Sequence, residues 1–146
     1  MFPRTPTLAA GLTLVALAPR LLLPQAVAQS PTMKQLMLDL IHPASNDLLL
    51  IVSRGGPASE KDWSSLRHSA LTLQQSADAL MNQNAAPAWR QSAKLLSDVA
   101  SDAYSAAQAK DARALQSIPT RLDAACTNCH KQFRPNVFPP PEGGVE

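Results

Sequence analysis

The sequence predicts an all-α protein, an antiparallel up-down-up-down four-helix bundle. Three observations carry this. Apolar residues recur at alternating spacings of three and four in separate segments of the chain. Pro, Gly or a capping residue punctuates the segments. The one run that could pass for a strand, Leu48 to Val52, has no partner strand and reads as buried helix. Short loops between amphipathic helices favour antiparallel neighbours, and the three/four alternation is the seam spacing of near-parallel packing.

The first helix starts near Pro31-Thr32 and places Met33, Leu36, Met37, Leu40 and Ile41 on its stripe. Pro43 interrupts it: proline lacks the backbone donor and clashes with the carbonyl four residues back, so a kink is expected near His42. The helix resumes through Val52 and stops at Gly55-Gly56-Pro57. Ser59 with Asp62 three residues on forms a capping box with Asp in place of Glu. The second helix carries Trp63, Leu66, Ala70, Leu73, Ala77 and Leu80. Pro87 suits a first helical turn, and Trp89, Ala93, Leu96, Ala100, Ala103 and Ala107 make the third stripe. The fourth helix begins around Asp111 and carries Leu115, Ile118, Leu122, Ala125, Cys129 and Phe133; Pro119 inside it predicts a distortion or a late start. Residues 135–146, with Pro139-Pro140-Pro141 and Gly143-Gly144, read as an extended or disordered tail.

Residues 1–28 read as a cleavable secretory signal: Arg4, an apolar run from Leu8 to Ala18, then Ala26-Val27-Ala28. The apolar run is too short to span a bilayer, so the chain is not expected to be an integral membrane protein. Cleavage leaves 118 of the 146 residues, the domain proper being 29–134. It also removes Arg4 and Arg20, leaving eleven basic against eleven acidic residues. A neutral mature chain with 4% aromatics has neither the charge nor the stacking surface of a nucleic-acid binder. No Gly-rich phosphate loop is present.

Both cysteines lie in Cys126-Thr127-Asn128-Cys129-His130, a C-x-x-C-H sequence. This is the attachment pattern for c-type haem: two thiols bond the two vinyl groups, and the adjacent imidazole reaches the iron. His fills 3 of 146 positions, so chance places it after the second Cys about one time in fifty. An exported chain fits haem attachment outside the cytoplasm. The competing reading is a C-x-x-C disulfide in an oxidising compartment. A structural zinc site needs four ligands, and two thiolates with three scattered histidines are a poor set.

The C-terminal C-x-x-C-H followed by Phe133-Arg134 resembles the class II c-type cytochromes, cytochrome c′ and the low-spin cytochrome c556 type. Met33 to Met37 ahead of Asp39-Leu40-Ile41-His42-Pro43-Ala44 is similar to the family's first helix, and Trp63 and Trp89 fit the pattern. The resemblance covers the mature chain, and the haem sequence is its strongest motif. It implies a bundle with one covalently bound haem c per chain, held by Cys126 and Cys129 with His130 as proximal ligand, in the periplasm. It also implies a first-helix methionine as distal ligand. Met33 and Met37, at i and i+4, share a face, and Met37 matches the family position better. Flexible core filler is the alternative for both. His42 reads as solvent-facing or capping, His68 as surface, and Met81 as packing. Arg134 either shields the proximal His or is a last-turn cation favoured by the helix dipole. Trp63 and Trp89 read as core anchors, and Asp98 and Asp102 as solvated carboxylates.

The leading expectation is a non-enzymatic electron carrier that meets redox proteins transiently, with a homodimer possible. The alternatives are a five-coordinate haem protein that binds gases in the manner of cytochrome c′, and a haem-free exported helical module with a C-x-x-C disulfide.

Overall fold

The computed structural model describes residues 30–136. The expected signal and the tail beyond Asn136 lie outside the described residues. Among the described residues all regular structure is helical, in four main helices.

Helix α1 spans Met33–Ser53. Thr32 caps it: the Thr32 hydroxyl accepts from the Gln35 N–H, and Gln35 Oε1 accepts from the Thr32 N–H at 2.9 Å. Its second turn, Leu36–Ile41, is π-helical, and the His42 N–H donates to the Met37 carbonyl. The break expected at Pro43 is thus a widened turn on its N-terminal side, which keeps the Asp39 carbonyl clear of the proline ring. The spacing of buried residues follows. Leu36 (1% exposed) lines up with Ile41 (5%), five residues on. Leu40, expected on the stripe, is 39% exposed, because i+4 is out of register in a π turn. Helix α1 closes on Gly55 (φ 102°) and Gly56 (φ 98°), whose N–H groups donate to the carbonyls of Val52 and Ile51. This left-handed backbone favours glycine.

Helix α2 is Glu60–Gln83, opened by the Ser59/Asp62 capping box. Helix α3 is Pro87–Ala109, with Pro87 in its first turn and Lys110 left-handed at its end (φ 53°). Asp111 then caps a short turn, Ala112–Leu115, by accepting from Arg113 and Ala114 N–H. Helix α4 is Ile118–Phe133 with Pro119 in its first turn, so the late start is the outcome.

The expected stripes of α2 and α3 form the core: Leu66, Ala70, Leu73, Ala77 and Leu80 face Ala93, Leu96, Ala100, Ala103 and Ala107, all buried. Small residues let the backbones approach, and each buried Leu contributes about 1.5–3 kcal/mol of transfer free energy. Helix α1 adds Leu48 and Ile51, and α4 adds Ile118 and Leu122. Cross-links between helices are polar and mostly exposed: Ser69 to Asp47 (2.6 Å), Ser97 to Asp78 (3.1 Å), Arg121 to Asp102 (2.6 Å), and Lys110 to Glu60. By length and composition α1 can cross a membrane; its buried line nonetheless packs against the other helices.

Candidate functional site

The sequence motif sits in the last turns of α4, where Cys126, Cys129 and His130 are all half-buried. Asn128, between the cysteines, donates from Nδ2 to Ser92 Oγ of α3 at 3.4 Å, which ties this stretch to the neighbouring helix. The Arg134 N–H closes the end by donating to the His130 carbonyl at 2.7 Å.

A cavity of about 320 Å³ opens at this end. Its walls come from all four helices and their ends: Met33 and Met37 from α1, Gln83 and Asn84 from the end of α2, Trp89 from α3, and Cys129, His130, Phe133 and Arg134 from α4. The two methionines of the first helix and the imidazole of the C-x-x-C-H motif thus share one cavity. They are 93 or more residues apart in sequence. Cys126 does not line it but packs, half-buried, against the core one turn earlier.

Trp89 and Phe133 form the apolar part of the wall, edge to face with ring centroids 4.9 Å apart. The Trp89 Nε1–H donates to the Leu80 carbonyl at 2.7 Å. Leu80 lies in the last turn of α2, whose carbonyls have no intrahelical donor, so the indole supplies one. Gln83 Nε2 donates to the Pro31 carbonyl at 2.8 Å and fastens the entry of α1 to the end of α2.

Burial pushes both thiols up from their ordinary range; for Cys126 the Asp123 carboxylate and the second cysteine add to it. Both cysteines are free. Burial, with the nearby Arg134 guanidinium, pushes His130 down, which favours the neutral imidazole that ligates metals.

Several residues singled out in the sequence fall elsewhere. His42 is exposed and within 3.2 Å of Asn46 Nδ2, as a solvent-facing residue is. His68 is exposed and Met81 half-buried; neither lines the cavity. Asp98 pairs with Lys94 on the surface and Asp102 with Arg121. Trp63 packs half-buried against the core. Gln83 and Asn84 are wall residues that periodicity does not reveal, and Trp89 is wall as well as core. A second depression, about 650 Å³, is lined by Asn46, Leu49, Leu50, Val52, Ser53, Gln116 and Pro119, none of them titratable or metal-ligating.

Comparison with protein-family models, with curated proteins and with solved structures returns no match.

The donor types present are those that hold an iron porphyrin. The thioethers of Met33 and Met37, the Cys129 thiol and the His130 imidazole line one space of mixed apolar and polar wall, with Cys126 one turn away, and its volume lies at the lower end of the ~300–1,000 Å³ range of small-molecule sites. Methionine side chains have three rotatable bonds and can withdraw to admit a larger ring.

Proposed function

We propose that the chain is an exported c-type haem protein that carries single electrons, similar to the class II c-type cytochromes. The observation that carries this reading is the shared cavity: His130 of the C-x-x-C-H motif and Met37 of α1 line the same space. In this reading Cys126 and Cys129 hold one haem c covalently, His130 is the proximal ligand and Met37 the distal one. When bound, the haem supplies the iron that cycles between ferric and ferrous states. The residues of the chain set its environment. A Met37 thioether favours the softer ferrous state and raises the potential. Trp89 and Phe133 exclude water from one wall. Arg134 places a positive charge beside His130 and disfavours protonation of the imidazole.

The up-down-up-down bundle belongs to the same proposal. Its support is the cross-helix contacts, whose positions fall along one helix as they rise along the next: Glu60 with Lys110 and Asp78 with Ser97 between α2 and α3, Ser92 with Asn128 and Asp102 with Arg121 between α3 and α4. The placement in the periplasm rests on the signal-like leader. The partners are redox proteins met transiently. A homodimer would cover apolar surface such as Leu38 and Leu50 of α1 and Leu71 of α2, which are exposed.

The test is absorption spectroscopy of the full chain expressed with haem-maturation machinery. Expected is a covalent haem whose ferrous low-spin spectrum is unmoved by carbon monoxide and is lost in Met37→Ala. A high-spin spectrum that shifts with carbon monoxide overturns the carrier in favour of gas binding. No Soret band, with maturation proven on a control cytochrome, overturns the haem reading and leaves the disulfide module.

A further inference from the structure

A regular α-helix stacks residues four apart, so Met33, Met37 and Ile41 would form one line on α1. The structure departs from this. Ile41 is buried together with Leu36, five residues before it, while Met33 and Met37 are only half-buried and line the cavity. The cause is the π turn. One extra residue in a turn rotates the segment before it by about 100° relative to the segment after it. Leu36 takes the core slot that Met37 would fill, and Met37 moves to the flank. The turn ends at Ile41, two residues before Pro43, which cannot donate to the Asp39 carbonyl and whose ring would crowd it. Pro43 itself is exposed.

We infer that Pro43 is a positioning residue: by enforcing the π register of Leu36–Ile41 it takes Met37 off the core line and places it in the cavity wall that His130 shares. In its spectroscopic form the inference rests on the haem reading. It predicts that the identity of residue 43, a full turn beyond Met37 and outside the cavity, decides whether a thioether reaches the iron.

The experiment uses the full chain, matured with haem, as Pro43→Ala and as Pro43→Ala with Leu38 deleted. Alanine restores a helical donor and removes a clash, so the single variant should still fold. Expected is that its helix closes to regular α register, Met37 turns towards the core, and the ferrous protein loses the ring-current-shifted Met methyl signal and gains a carbon monoxide adduct. Deleting Leu38, whose side chain is largely exposed, removes the extra residue and returns Met37 to the cavity without proline. The double variant therefore recovers the signal. A Pro43→Ala protein that keeps its Met signal overturns the inference. So does a loss that the deletion fails to rescue, which would give proline a role other than register. A crystal structure of Pro43→Ala decides the register whether or not haem attaches: Met37 still lining the cavity overturns the inference, and absence of haem from the parent overturns only the functional proposal above.

Discussion

Where α1 ends and α2 begins, the helix ends are capped by neighbours in sequence, and an exposed ion pair, Lys110 with Glu60, supplies a long-range link. Gly55 and Gly56 return to Val52 and Ile51, Ser59 and Asp62 cap each other, and Asp111 caps the turn that follows it. Where α1 begins and α2 ends, α1 keeps a local cap, but the joining bonds are long-range. The Leu80 carbonyl is satisfied by the indole of Trp89, the Pro31 carbonyl by Gln83, and the cysteine segment is tied to Ser92 by Asn128. Gln83 and Trp89 are also cavity walls. The locally closed end can form as each helix forms, whereas the cavity end exists only once all four helices have met. A ligand that bridges α1 and α4 would therefore stabilise this second end and leave the first almost untouched.

The sharpest way to break the comparison is to damage the seam common to both ends. Leu73 is fully buried midway along α2. Leu73→Ala should cost about 2–5 kcal/mol in denaturant unfolding. Because the cavity is distant, a folded fraction should keep the parent's spectrum if the chain carries the proposed haem. A cost under about 1 kcal/mol would mean that the seam collapses around the missing atoms.

Trp89→Phe acts on the cavity end alone. It keeps an aromatic ring against Phe133 but removes the donor to the Leu80 carbonyl. Leaving that buried group unsatisfied costs about 1–3 kcal/mol. Unlike Leu73→Ala, it should also move the spectrum or potential of the proposed haem, since the ring is part of the wall. A stability loss with an unmoved potential would show that the wall tolerates repositioning of this ring.

These two ends also differ in what could be read from sequence. Ser59/Asp62, Gly55-Gly56, Pro87 and the late start after Pro119 are legible because each is a bond, or a missing bond, within a few residues. The buried lines of α2 and α3 are legible because one period runs through each. The π turn is not: Pro43 shows where the ladder of α1 must break, but a kink and a widened turn both relieve the proline, and the periodicity of α1 does not say which. Leu40 is exposed because the turn widens, off the line that a regular helix would give it. At the site, Met33, Met37, Cys129 and His130 were legible from residue chemistry and spacing. Gln83 and Asn84 were not, since a polar turn carries no mark of the cavity it will border. The wall role of Trp89 is invisible too, because a core stripe and a cavity wall share one periodicity where helix ends converge.

On the locally closed end, Ser59→Ala removes the hydroxyl that accepts the Asp62 N–H. It should cost about 1 kcal/mol, with the haem spectrum unchanged. A spectrum that follows this cap would mean that the two ends are coupled.

The smallest effect tests the same cap through its charge. The Ser59 hydroxyl, followed by the Ala58 N–H, holds the Asp62 carboxyl below its ordinary value of 3.8. The hydroxyl and both the Ala58 and Ser59 N–H groups donate to Oδ2 at 2.9–3.0 Å. A carboxylate whose folded pKa is depressed adds stability above its unfolded pKa and loses it as pH falls through the folded one. The contribution should therefore be constant at neutral pH and disappear below about pH 4. Asp62→Asn keeps an acceptor and removes the charge. Its melting temperature should lie slightly below the parent's at pH 7, and the gap should close on acidification through that window. A gap that stays constant down to the acid limit would assign the cap's benefit to geometry instead of charge. Because the cavity end has no part in this bond, the gap should be the same with and without haem.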